Sequence, residues 1–232
     1  IAFVTRGPGA PNASIGLHTA KQDSTPLLLF IGHVPTNEIG KEAFQEIDYS
    51  TAFAPLTKKV IEVMKPSEVA EAVSEAMYLS TAGRPGPIAI VLPEDVTENS
   101  VHNSTPKAPI SRSALMPKDS EIKSAIAMIN ASKQPVILAG EQINFESAHE
   151  CLAEFAEATG AGVATAFRRQ DVISHNHSAN LGHFGLQLLP YQKAFWAECD
   201  LVIIAGARPD GATLQGYTLL LKEQKVIHIY PD

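Results

Sequence analysis

The chain has 232 residues and a formal net charge of −7, from 18 Lys and Arg against 25 Asp and Glu. At 45% hydrophobic and 19% charged residues it can bury an ordinary core and lacks the composition of a disordered chain. The acidic balance and the absence of a dense basic run exclude a nucleic-acid binder that works by neutralising phosphates. No apolar stretch approaches the roughly 20 residues that span a bilayer, so no membrane segment is expected. The length suits one large domain or two small ones. Cys151 and Cys199 lack metal-ligand spacing, no signal peptide is visible, and a cytoplasmic protein with reduced thiols is the simplest reading.

The first residues, Ile1-Ala2-Phe3-Val4-Thr5, form a β-rich apolar run. The turn Arg6-Gly7-Pro8-Gly9-Ala10-Pro11-Asn12 follows, then a helix over 13–21 with Ile15, Leu17 and Ala20 inward, and a buried strand over 26–32. Strand, glycine turn, helix and strand within about 30 residues make a βαβ unit. Residues 42–48 read as a short helix, and 56–64 fits either a helix or a strand. A helix over 66–81 is predicted, with Ser67 as N-cap and Ala70, Val73, Ala76 and Met77 inward. Gly83-Arg84-Pro85-Gly86-Pro87 stops it before a strand over 88–92. Residues 97–118 are rich in Ser, Thr, Asn, Pro and Lys and read as a linker. A second alternation follows: helix 119–131, strand 135–139, helix 145–159, strand 162–165, a loop-rich stretch, helix 190–198, and strands 201–205 and 225–230. The fold class is therefore α/β, with two mainly parallel-sheet domains over 1–96 and 119–232. Because the apolar runs at 1–5 and 225–230 look like buried strands without polar flanks, a segment of a longer polypeptide is expected.

In open parallel sheets, ligands bind beyond the carboxyl ends of the strands. The loops at 7–12, 33–45, 141–144, 167–185 and 206–216 are thus the places to seek chemistry. The Gly7 turn is neither a dinucleotide fingerprint nor a phosphate-binding P-loop, and a tight strand-to-helix turn accounts for it equally well. His175, His177 and His183 have no carboxylate or thiolate at supporting spacing, so they read as loop histidines, and no residue is assigned to a metal. Glu46 and Asp48, two apart, do not share a helix face. Arg208 follows a strand, where a guanidinium can reach a phosphate or form a surface ion pair. From the residues alone, the reading is a two-domain α/β protein with an anionic ligand.

The order of the turns is more distinctive than any one of them. Val4-Thr5-Arg6-Gly7-Pro8-Gly9-Ala10-Pro11-Asn12-Ala13, Gly16-Leu17-His18-Thr19-Ala20 and Asp23-Ser24-Thr25-Pro26 come first. Ala43-Phe44-Gln45-Glu46-Ile47-Asp48, Pro55-Leu56-Thr57-Lys58, the Gly83 turn and Leu92-Pro93-Glu94-Asp95-Val96 follow. This half resembles the pyrimidine-binding domain of thiamine-diphosphate enzymes, within which it is most similar to the acetolactate synthase group. Gln134-Pro135-Val136-Ile137-Leu138-Ala139-Gly140, Leu181-Gly182, the run from Asp200 to Arg208 and Val226-Ile227-His228-Ile229 resemble the Rossmann-like central domain of the same enzymes.

The resemblance implies a lyase or carboligase acting on 2-keto acids with thiamine diphosphate and Mg²⁺, assembled as a homodimer or homotetramer. It implies that Gly7, Pro8, Gly9 and Asn12 lie near the aminopyrimidine of the cofactor. It places Gln45 facing the reacting carbon with Phe44 as an apolar wall, and Lys58 near the entrance. The activating glutamate of the family is expected upstream of this chain and the Gly-Asp-Gly motif for diphosphate and metal downstream, so the chain alone is expected to be inactive. Gly206 and Arg208 match positions that contact FAD in acetolactate synthases, and Asp232 matches a later adenosine-side contact. The continuation Pro209-Asp210-Gly211-Ala212 lacks a second arginine found in those enzymes, which argues against FAD. Two alternatives stand beside this reading: a thiamine-diphosphate-dependent decarboxylase of benzoylformate or oxalyl-CoA type, and a non-catalytic adenine-nucleotide-binding module.

Overall fold

The computed structural model describes residues 1–101, 110, 115–220 and 222–231. The chain divides into two compact units, Ile1–Ala114 and Leu115–Pro231. Most of the linker read at 97–118, and Asp232, lie outside the described residues.

The first unit begins with β1 (Ala2–Val4), α1 (Gly9–Gln22), β2 (Leu27–His33) and the short helix α2 (Tyr49–Phe53). It continues with β3 (Lys59–Glu62), α3 (Val69–Thr81), β4 (Pro87–Pro93) and α4 (Glu94–Glu98). All pairs in its sheet are parallel, in the order β1-β2-β4-β3. Alternation along the central strands sends side chains to two cores. Leu29, Ile31, Ala89 and Val91 pack with Ala10 and Leu17 of α1 and with Tyr49 and Phe53. Leu28, Phe30, Ile88 and Ile90 pack with Ala72 and Ala76 of α3 and with Val96.

The second unit holds α5 (Asp119–Ala131), β5 (Pro135–Ala139), α6 (Glu141–Phe145), α7 (His149–Thr159), β6 (Gly162–Thr165), β7 (Asn180–His183), α8 (Pro190–Glu198), β8 (Leu201–Ala205) and β9 (Lys225–Ile229). Its sheet is also parallel throughout, ordered β7-β6-β5-β8-β9. Val136, Leu138, Val202 and Ile204 meet Trp196 and Phe184 on one face. Ile137, Val163, Leu201 and Ile203 meet Leu152 and Ala156 on the other. Gly160, at φ +65, ends α7 in the left-handed conformation that glycine adopts at lowest cost. Both cysteines are free thiols; burial pushes the Cys199 thiol up to about 11.

Several predicted elements change in the folded chain. The helix predicted over 42–48 is a series of turns: Glu42 and Gln45 take positive φ, 55° and 66°. The Glu46 carboxylate accepts the N–H groups of Gly40 (2.5 Å) and Ala43 (2.9 Å), tying the loop together from within. Asp48 then caps α2, accepting from Thr51 N at 2.9 Å. The ambiguous stretch at 56–64 contains strand β3. The helix predicted from residue 13 starts at Gly9 and takes in most of the glycine turn, and Ile15 on it is exposed. In α3 the buried stripe is Ala72, Ala76 and Ser80, so Met77 is exposed and Ser67 lies in a separate 3₁₀ turn before the helix. The helix predicted over 145–159 is broken between α6 and α7 by Ser147 at φ 54°. The terminal strands β1 and β9 are sheet edges with exposed side chains, not buried strands.

Candidate active site

In the first unit, the carboxyl ends of β1, β2 and β4 open into a cavity of about 480 Å³. Thr5, Arg6, His33, Gln45, Glu94 and Thr97 supply its polar lining, and Phe3, Phe30 and Leu92 its apolar walls. Position at the strand ends follows from the parallel topology, which brings consecutive strand-to-helix turns to one edge of the sheet.

Gln45 reaches this cavity because the loop before α2 folds back over the glycine turn. A Cβ on Gly7 would lie 2.6 Å from the Cβ of Gln45, so the bare backbone of Gly7, at φ +58, is what permits the approach. A Cβ on Gly9 would meet the Thr5 methyl at 2.8 Å. The turn is anchored by Tyr49, a fully buried side chain whose hydroxyl accepts the Gly7 N–H at 3.0 Å. The His33 and Tyr49 rings meet edge to face, with centroids 5.0 Å apart and planes at 73°. Burial raises the Tyr49 phenol and lowers the His33 imidazole from their ordinary values, which keeps both neutral near pH 7. His33 Nδ1 is buried without a hydrogen-bond partner among the described residues. Arg6 pairs with Glu94 through Nη1 and Oε2 at 2.8 Å.

The other residues carried from the sequence are spread more widely. Gly7, Pro8 and Gly9 form the turn and the start of α1; Asn12 is exposed on the first turns of that helix. Phe44, adjacent to Gln45, is 80% exposed and is not among the cavity walls. Lys58 donates from Nζ to the Leu79 and Ala82 carbonyls, at 2.5 and 2.6 Å, where it caps the end of α3. Arg6, His33 and Tyr49 were not singled out as site residues by sequence reasoning. The signal for the first two was their position just past predicted strands; that for Tyr49 exists only in the folded chain.

The second unit presents a comparable edge. Register aligns His183, Thr165, Ala139 and Ala205 across β7, β6, β5 and β8. Beyond it, Gly206 (φ +63) donates to Ile229 O at 2.9 Å, and its own carbonyl accepts Gln142 N at 2.9 Å. A Cβ on Gly140 would lie 2.4 Å from Ala207 Cα. Gln142 Nε2, Thr165 Oγ1 and His183 Nδ1 are buried here without partners among the described residues. Arg208 Nη2 is 3.9 Å from Asp210 Oδ2, and Phe167 stacks on His183 with centroids 6.0 Å apart. His177 lies 3.4 Å from Glu157, and among the described residues no group of three or more His, Cys, Asp or Glu is placed to hold a metal. No described helix is long and apolar enough to cross a membrane.

The fold thus defines a protein of two all-parallel α/β units, each with buried polar atoms at the strand ends that lack a partner among the described residues. The particular family follows from sequence comparison. Residues 1–52 match the N-terminal TPP binding domain of thiamine pyrophosphate enzymes, and residues 122–232 match their central domain. The chain is 35% identical over 240 residues to a probable acetolactate synthase large subunit of Methanocaldococcus jannaschii, covering 100% of this chain and 40% of that protein. It is 32% identical over 235 residues to the acetolactate synthase large subunit of Lactococcus lactis, covering 100% and 41%. With that of Corynebacterium glutamicum it shares 30% identity over 231 residues, covering 98% and 37%. The chain belongs to the thiamine pyrophosphate (thiamine diphosphate) enzyme family, is acetolactate synthase-like, and spans about two fifths of the length of these relatives.

Proposed function

We propose that this chain is the pyrimidine-binding and central part of a cytoplasmic, thiamine-diphosphate- and Mg²⁺-dependent carboligase or lyase acting on 2-keto acids. The division is that read from the sequence, a pyrimidine-binding part over 1–96, a linker over 97–118 and a central domain over 119–232. The complete protein works as a homodimer or homotetramer, and the chain alone is inactive. The observation that carries this reading is Gln45, held in a strained backbone conformation over the Gly7 turn and facing a cavity at the strand ends. Strain of this kind persists where the surroundings over-determine it, and it clusters at functional sites.

The Gly7 and Gly9 positions hold no room for side chains because Gln45 and Thr5 close over them, which keeps the turn compact at the strand ends. Gly7, Pro8, Gly9 and Asn12 would hold the aminopyrimidine. Thiamine diphosphate, when bound, supplies the carbon nucleophile and the electron sink for loss of carbon dioxide. Tyr49 keeps the Gly7 N–H engaged and so fixes the turn. The Gln45 amide donates to the substrate oxygen on which negative charge builds, or to the substrate carboxylate. Phe44 acts at the substrate entrance of the assembled enzyme; Lys58, which precedes β3 and caps the end of α3, lies at the amino-end edge of the sheet, opposite the cavity, and takes no part there.

In the complete polypeptide, Gln45→Ala is expected to lower kcat about 100-fold or to shift product partition, with KM changed less. Unchanged kcat and product ratio would remove Gln45 from the site. Product analysis separates carboligation, which yields a C–C bonded hydroxyketone, from simple decarboxylation, which yields an aldehyde or acyl product. The buried, partnerless Gln142, Thr165 and His183 atoms favour a second reading for the central domain, an adenine nucleotide held near Gly206 and Arg208. Asp210 beside Arg208 bears equally on the diphosphate of ADP and of FAD, and it is the continuation Pro209-Asp210-Gly211-Ala212, without a second arginine, that argues against FAD. A rise in melting temperature with ADP and none with FAD is the expected outcome; the reverse would make FAD the ligand.

A further inference from the structure

We propose that the cavity at the ends of β1, β2 and β4 binds a carboxylate that the substrate keeps through the reaction, with Arg6 and His33 as the recognising residues. This rests on the thiamine-diphosphate reading above and names the substrate feature that the site selects.

Arg6 lines the cavity, and among the described residues its side chain is engaged through Nη1 alone, by Glu94 at 2.8 Å. A guanidinium carries five N–H donors in a planar fork, so the pairing with Glu94 leaves capacity for a second carboxylate. The side chains of Arg6 and Glu94 are 29% and 50% exposed. A pair so accessible to water contributes little, and a ligand carboxylate can share or replace it.

His33 supplies the second observation. It is 7% exposed, lines the same cavity, and leaves Nδ1 buried without a partner among the described residues. A buried polar atom in that state is costly unless a ligand or solvent completes it. The contact with Tyr49 fixes the ring, so His33 is preorganised. Burial keeps the imidazole neutral, so it recognises a carboxylate by hydrogen bonding and not as a second cation. Phe3, Phe30 and Leu92 give the same cavity an apolar lining, which suits the carbon chain of a carboxylate ligand.

The kind of carboxylate follows from the reaction. When a 2-keto acid loses carbon dioxide, the departing carboxylate gives up its charge. A guanidinium holding that group would stabilise the bound substrate more than the transition state and slow the step. Arg6 is therefore suited to a carboxylate whose charge persists. Two sources share this chemistry: the distal carboxylate of a dicarboxylic 2-keto acid, and the carboxylate of a 2-keto acid acceptor.

The binding test uses succinate, a dicarboxylate with no keto group to react, and succinamide as its neutral counterpart. The His33 imidazole resonance, identified by its loss in His33→Asn, is followed by NMR during titration of the 232-residue chain. Succinate is expected to move it and succinamide not. Arg6→Met is expected to weaken succinate binding at least tenfold, and Glu94→Gln, which removes the competing carboxylate, to strengthen it severalfold. The opposite signs guard against a variant that merely folds badly. No response to succinate, an equal response to succinamide, or the same direction for both variants would overturn the proposal.

In the complete enzyme, the Arg6→Met change separates the sources. A selective loss of kcat/KM for 2-ketoglutarate relative to pyruvate identifies a distal carboxylate. A selective loss of carboligation relative to aldehyde release identifies the acceptor. Equal losses for every substrate and product would count against the proposal. If succinate binds but the complete protein shows no melting shift with thiamine diphosphate, the functional reading fails while the anion pocket stands.

Discussion

Gln45, at φ 66°, occupies a backbone region that costs a residue with a Cβ about 1 kcal/mol or more. The adjoining loop holds it there through the Glu46 bonds to Gly40 and Ala43 and the cap on α2. Gln45→Gly relieves the strain and deletes the amide. It is expected to leave folding stability unchanged or raise it by up to about 1 kcal/mol, while turnover of the complete enzyme falls as in Gln45→Ala. Urea unfolding beside steady-state kinetics checks both; a large loss of stability would mean that the side chain serves packing. Asp200 is a second residue whose state is set by the fold. It accepts from Ser132 Oγ and from the N–H groups of Lys133 (2.8 Å) and Gln134 (3.1 Å), which hold its carboxyl at about 2 against a usual 3.8. A lowered carboxylate value contributes stability that is full above the unfolded value and disappears as pH falls through the folded one. Asp200→Asn should therefore lower the unfolding midpoint at pH 7 and flatten its decline between about pH 4 and pH 2. A variant that keeps the wild-type acid slope would show that another group carries it. The sequence showed Asp200 only as the residue before an apolar strand, because its donors come from a turn more than sixty residues earlier.

At the level of elements, the long apolar runs were the legible part. Strands at 135–139, 162–165 and 201–205 and helices at 119–131 and 190–198 are found at their predicted limits. Continuous apolar runs bounded by breakers have few alternatives when both faces of a sheet are covered. The segments that failed are those decided by side-chain-to-backbone bonds or by left-handed residues, as at Glu42, Gln45 and Ser147. These bonds do not announce themselves as a period in the sequence. Gly140 shows how tightly two elements meet. Its Cβ would be placed 2.4 Å from backbone of Ala207, where no flexible side chain can yield. Gly140→Ala is expected to destabilise the second unit by about 2 kcal/mol or more, read as a shift in the urea midpoint of Trp196 fluorescence. A shift near zero would mean that β5 and β8 separate easily beyond Ala139 and Ala205.

On the scale of the molecule, each unit carries its own pair of cores. Trp196, the single tryptophan, is buried in the second unit against Phe184 with its Nε1–H bonded to Leu219 O at 2.7 Å. It therefore reports on that unit alone. Ile137→Ala, at a fully buried position of β5, is expected to lower the stability read by Trp196 by about 3 kcal/mol. Ile90→Ala, equally buried in β4, should lower the far-ultraviolet circular dichroism midpoint of the first unit and leave the tryptophan transition in place. Coincident shifts for both variants would show that the units unfold as one.

The amino-acid sequence by itself determined the two alternations of strand and helix, the turns that separate them and the family resemblance, because hydrophobic period and glycine-proline punctuation are local properties. It also brought Gln45 and the Gly7 turn forward as candidate site residues, through the family resemblance that motif order carries. Only the tertiary structure decided that Gln45 bends over Gly7, that Tyr49 holds the turn, and that Arg6, His33 and Glu94 share one cavity. The parallel topology is the physical reason. It gathers loops distant in sequence at one edge of each sheet, and the contacts made there depend on register and on backbone angles outside regular elements.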